Sequence, residues 1–186
     1  LGDVYKRQKK THSRTRTPKI LERYYMHIWT LRTWEKYYDL SDAKHRTGLR
    51  TRFEKGVDPE VRAACLRFCA WLRTEYFFPI RIPIYFKQAA RIKAMDGELV
   101  SATFFEPVNR QDEPYARIAT GDYQQLKEKI GRDNALASIL LSVAHELTHY
   151  FQWINDIRLT AIGEERQASR YARFILDEYA DVVEHP

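Results

Sequence analysis

His145-Glu146-Leu147-Thr148-His149 sets two imidazoles four residues apart. On an α-helix that spacing brings both rings to one face, one turn apart, where they can grip a single metal ion. Glu146 sits beside them on the same helix, where a general base for a metal-bound water would stand. A chance match to this pattern in a chain of this length arises on the order of one time in a hundred. The surroundings are apolar: the uncharged run Ser138 to Ala144 precedes the pair, and Tyr150 and Phe151 follow it. Two His and a Glu on a helix buried against a core are costly unless a cation, and a role for the carboxylate, compensate.

Zinc would need a third protein ligand and an open position for water. A His six residues past the motif is absent, because position 155 is Asn, and the one His further on is His185 near the end of the chain. Glu164 and Glu165 open the next predicted helix at a distance that lets the chain turn back. From Glu165, Ala168 and Ala172 share a face at i+3 and i+7, and small residues there allow a close approach to the His-bearing helix. Glu164 is the alternative third ligand, with Ala168 at i+4 and Tyr171 at i+7. Face and spacing favour Glu165.

The run Val143-Ala-His-Glu-Leu-Thr-His-Tyr-Phe-Gln152, followed by Glu165-Arg-Gln-Ala168-Ser-Arg-Tyr171-Ala172, resembles the small zincin-like metallopeptidases of the Glu-zincin type. The resemblance covers about residues 133 to 180. It implies one zinc ion held by His145, His149 and Glu165, with Glu146 as general acid/base, and a peptide or protein substrate bound along an edge strand, either Val100 to Glu106 or Tyr115 to Thr120. Tyr171, Tyr123, Tyr115 and Arg170 are open as the group that shares the developing negative charge. Several such families carry an Asp after the Ala of the second motif, or a Glu before it; here those positions are Ser169 and Gln167.

The elements that must position these residues are legible in outline. Asp58-Pro59-Glu60 is a helix start, and Val61, Cys65, Leu66, Phe68, Cys69 and Leu72 continue it at helical spacing over 59–75. Ile80, Ile82, Ile84 and Phe86 alternate as a strand, which Pro79 and Pro83 assign to an edge or first position. Asp96-Gly97 predicts a two-residue hairpin turn between 91–95 and 98–105. A strand follows over 115–120, then helices over 122–130, from 133 or 134 to about 153, and over 162–182, with Asn155-Asp156 as a break. Upstream, a helix over 20–39 is expected from the aromatic run through Tyr24, Trp29, Trp34 and Tyr38, with a charged loop over 40–56. The predicted fold is α+β and zincin-like: N-terminal helices, a small, mostly antiparallel sheet, the motif helix, and a C-terminal helix carrying the third ligand. The metallopeptidase domain is expected over 57–186, behind an aromatic segment, 20–56.

The 186 residues are 44% hydrophobic and 30% charged, which excludes a low-complexity or disordered chain. All of the net charge of +6 comes from residues 1–19, which hold seven Lys/Arg against Asp3 and are expected to form a disordered tail. Residues 1–8 lack an initiator Met and resemble a translated adapter tail. No long apolar run or secretory signal is visible, so no membrane is expected and the localisation reads as cytoplasmic. Cys65 and Cys69, the only cysteines, are expected as buried free thiols. Two alternatives stand beside the peptidase: a catalytically silent zincin-fold binding module, and a nucleic-acid-associated protein using the basic, aromatic N-terminal region.

Overall fold

The computed structural model describes residues 27–42, 45–110 and 112–186. Four helices pack with a small mixed sheet in an α+β fold. In chain order the elements are β1 (Leu49–Phe53), α1 (Pro59–Glu75), β2 (Ile82–Lys87), β3 (Ile92–Lys93), β4 (Leu99–Val100), β5 (Ala102–Phe105), β6 (Tyr115–Ala119), α2 (Tyr123–Ile130), α3 (Arg132–Ile154) and α4 (Ala161–Ala180). Helix α1 begins where its sequence signature lies, with the Asp58 carboxylate accepting the Glu60 N–H at 2.8 Å. Its apolar stripe, Val61, Cys65, Phe68, Cys69 and Leu72, is fully buried. No helix among the described residues is long and apolar enough to cross a membrane.

The main sheet runs β1-β2-β6-β5 and is mixed, not mostly antiparallel. Strand β2 pairs parallel with both β1 and β6, while β5 pairs antiparallel with β6. The expected edge position of β2 is therefore corrected, and the ladder shows how an interior strand tolerates Pro83. Ile82 donates its N–H to Gly48 O on the β1 side. Alternation turns the Pro83 nitrogen to the β6 side, where pairing begins only at Ile84, so no ladder bond is lost. The hairpin at Asp96-Gly97 is also tighter in prediction than in fact: β3 and β4 are joined across Ala94–Glu98, leaving three loop residues. Gly97 alone takes a positive φ, of 93°, as a three-residue connection needs, whereas a two-residue turn would ask the same of Asp96.

The charged loop expected over 40–56 contains strand β1. Leu49 is buried while Arg50 and Arg52 are exposed, and these cations guard an open sheet edge. The helix expected over 20–39 is replaced, in its described part, by two short 3₁₀ turns, Ile28–Thr30 and Thr33–Lys36; its beginning, with Tyr24 and Tyr25, and the tail over 1–19 lie outside the described residues. At 100° per residue a helix would aim Trp29 and Trp34 about 140° apart. Both instead enter the core along α3: Trp29 Nε1–H donates to Thr148 Oγ1 at 3.1 Å, and the Trp34 N–H to Asn155 Oδ1 at 3.2 Å. Trp29, Trp34 and Tyr38 are thus buried and cannot stack on nucleic-acid bases.

Candidate metal centre

Three elements build the site. Helix α3 carries the motif and is anchored within it and immediately after it. The Thr148 hydroxyl accepts from Trp29 and donates to Ala144 O at 2.9 Å, while the Tyr150 hydroxyl accepts the Ile80 N–H at 3.0 Å and donates to Ile80 O at 2.8 Å. These buried bonds fix the rotation of α3 about its axis, and with it the face that shows His145 and His149. The helix stops at Ile154, and Asp156, at φ 54°, turns the chain back. Helix α4 then starts under a Thr160 cap and lays Ala168 and Ala172, both buried, against α3. Those small side chains admit the close approach that brings Glu165 over the two imidazoles.

His145 Nε2 and His149 Nε2 lie 3.2 Å apart. Glu165 Oε2 is 3.2 Å from the first and Glu165 Oε1 3.3 Å from the second. Two imidazoles and a carboxylate this close repel one another unless a cation or proton lies among them. Tetrahedral ligands about 2.0–2.1 Å from a metal ion stand about 3.3 Å from each other, so the spacing fits a single ion. The three residues form the one group of its kind among the described residues. Glu165 is 63% exposed, which leaves the fourth tetrahedral position open to solvent. Glu164 is not part of it: its carboxylate reaches back to the Leu159 N–H at 3.4 Å.

The tautomer of His149 follows from its neighbours. Glu164 O can only accept, so the Gln152 Nε2 amide faces it, at 3.1 Å, and also donates to Gln167 Oε1 at 2.9 Å. Gln152 Oε1 then faces His149 Nδ1 at 2.7 Å and must receive its proton, leaving the Nε2 lone pair for a metal ion. Two carboxamides, Gln152 and Gln167, thus hold the His149 ring. Burial, and after it the charge of His149, lowers the pKa of His145, while Glu165 opposes the shift.

Glu146 is buried at 6% exposure against β5. Burial, then the Glu165 charge, pushes its carboxyl up to about 8, while the Phe104 N–H favours the ionised form. Phe104 belongs to an edge strand, which settles one open alternative: β5, within Val100 to Glu106, is the edge beside the site, and β6 is interior. Ser101 O accepts the Ala119 N–H on the β6 side, so alternation turns the backbone groups of Ala102 and Phe104 outward, into the cleft. This cleft, of about 480 Å³, is lined by the metal group, Glu146, β5 and the cations Arg110 and Arg158.

No family, curated protein or solved structure matches the chain.

The four residues suggested for charge stabilisation lie elsewhere. Tyr123 is buried and donates to Glu60 Oε2 at 2.5 Å, Tyr171 packs against the His27 ring at 4.5 Å, Tyr115 stacks on Phe105, and Arg170 is on the outer face of α4. None lines the cleft. The roles of Gln152 and the Phe104 N–H escaped sequence reasoning. Gln152 had a signal, standing three residues past His149 on the same helical face; the Phe104 contact had none, since it joins residues 42 positions apart.

Proposed function

We propose that this chain is a zinc-dependent hydrolase, most specifically a peptidase of the zincin-like, Glu-zincin type. The observation that carries the reading is the convergence of His145, His149 and Glu165 on one point with Glu146 buried beside it and an open strand edge alongside. The donor set, two imidazole nitrogens and a carboxylate with one side open, suits catalytic zinc. Bound there, zinc supplies a Lewis acid for the scissile carbonyl and a coordinated water with its pKa lowered to about 7.

The residues of the chain do the rest. A cation held by His145, His149 and Glu165 would draw the raised pKa of Glu146 down toward the working range, so that its carboxylate could accept a proton from water. Its buried position then retains that proton for the leaving amine. The outward N–H and C=O of Ala102 and the C=O of Phe104 are placed to pair with an extended peptide, holding its scissile bond over the centre. The Gln152 carboxamide keeps His149 in the tautomer that binds metal.

The test is zinc stoichiometry together with a broad peptide panel, run on wild type and Glu146→Gln. The expected result is one zinc per chain in both proteins and cleavage by wild type only, with turnover in the variant down by about 10²–10⁴-fold. If both bind zinc and are equally inert across the panel, the chain is a silent binding module and the peptidase reading falls.

A further inference from the structure

The outer face of α4, beside the candidate metal centre, carries a cationic stripe that no acid compensates among the described residues. Arg166, Arg170 and Arg173 are all exposed, and their spacing of four and three residues places them along one side of the helix over two turns, about 10 Å. None has an ion pair or hydrogen bond among the described residues, whereas Arg46, Arg81, Arg91, Arg110, Arg132 and Arg158 each pair with an acid. Like charges at i,i+3 and i,i+4 weaken a helix, and α4 does not relieve them. Its acids are engaged elsewhere or set apart: Glu165 faces the imidazoles, Glu164 takes the Leu159 N–H, Glu178 accepts from the Tyr76 hydroxyl, and Asp177 forms no ion pair with Arg173 among the described residues.

The stripe borders a shallow, open groove formed by α4 alone, which also takes in Ala161 and Ile162. Ile162, one turn before Arg166, is 66% exposed. Glu165 lines both this groove and the cleft, so a chain leaving the cleft past Glu165 runs onto the arginines. Guanidiniums beside exposed apolar surface suit a carboxylate-bearing polypeptide, which can form bidentate pairs and lay an apolar side chain on Ile162. No aromatic ring lines the groove to stack a base, which disfavours single-stranded nucleic acid. Residues 1–19, with their net charge of +6, have the same sign as the stripe and do not complement it. We propose that Arg166, Arg170 and Arg173 dock an acidic segment of the polypeptide substrate next to the scissile bond. This rests on the peptidase reading and adds a substrate class to it.

The experiment is fluorescence anisotropy with the full chain carrying Glu146→Gln, zinc-loaded. The probes are a short labelled peptide rich in Glu and Leu, the same peptide with Gln for every Glu, and a labelled single-stranded oligodeoxynucleotide. The acidic peptide is expected to bind at least tenfold more tightly than its Gln counterpart. Adding Arg166→Gln, Arg170→Gln and Arg173→Gln, which keep helix propensity, should abolish most of that difference without changing zinc content. Adding Arg50→Gln and Arg52→Gln, on β1, should leave it intact. Equal binding before and after the α4 substitutions overturns the proposal, as does tighter, stripe-dependent binding of the oligonucleotide. Because binding is read without turnover, stripe-dependent docking in a protein whose wild type cleaves nothing would sink the peptidase reading, and the substrate role with it, while leaving an acidic-peptide docking surface.

Discussion

The Nδ1 of His149 and the Oε1 of Gln152 meet at 2.7 Å, one helical turn apart on α3, and this bond sets which nitrogen of His149 faces the metal group. Gln152 is held in turn by Gln167 Oε1 and Glu164 O on α4, so the ring orientation of a residue on one helix is secured by its neighbour. Gln152→Ala should therefore lower metal affinity by about 10–100-fold. Gln152→Glu keeps the acceptor for His149 and should recover part of the loss. Chelator competition measures both, and unchanged affinity in the Ala variant would show that the ring is held by other means.

Glu165 and Glu164 are adjacent in sequence but opposite in duty. Glu165→Ala should reduce metal affinity more than the Gln152 change does, by over about 100-fold, because it removes a ligand and not its support. Glu164→Ala should leave affinity within a few-fold, its carboxylate being turned to the Leu159 N–H. Isothermal titration with the metal distinguishes them; a larger effect at Glu164 would reverse the assignment.

His27 carries a pH dependence of stability. Burial lowers its pKa from 6.5 to about 4, its Nδ1 accepts the Trp29 N–H, and its Nε2 is buried without a partner. Between those two values the unfolded chain binds a proton that the native one does not. The stabilising contribution is therefore complete above about pH 6.5 and is lost as pH falls through about 4, a span of about 3 kcal/mol. In denaturant melts with chelator present, the stability of wild type relative to His27→Phe should fall by about 3 kcal/mol as pH drops across this window. Parallel curves would show that another group titrates.

Cys65 and Cys69 should be chemically silent in the native state. Both side chains are fully buried on α1, and burial pushes the thiol of Cys69 up to about 12 and that of Cys65 well above its ordinary value. A thiol reagent at pH 8 should label neither until the protein is unfolded, when both react. Cys65→Ser should cost on the order of 1–3 kcal/mol, since a hydroxyl is costlier than a thiol to bury in that apolar setting. Rapid labelling of the folded chain would contradict the burial.

What the sequence determined by itself is what local periodicity can encode. The i,i+4 pair His145 and His149, the Asp58-Pro59 start of α1, the stop at Asn155-Asp156 and the Ala168/Ala172 face of α4 each depend on residues within a few turns of one another. All appear where the pattern puts them. Tertiary structure decided the rest. Face and spacing already favoured Glu165 over Glu164, but the distances that bring its carboxylate to both imidazoles depend on how α4 is rotated against α3. Strand direction and the interior place of β2 depend on pairing among Leu49–Phe53, Ile82–Lys87 and Tyr115–Ala119, segments far apart in the chain. The short turns over Ile28–Thr30 and Thr33–Lys36 exist because Trp29 and Trp34 must both reach α3, over a hundred residues downstream, and that long-range burial outweighs the helical pattern of their own segment.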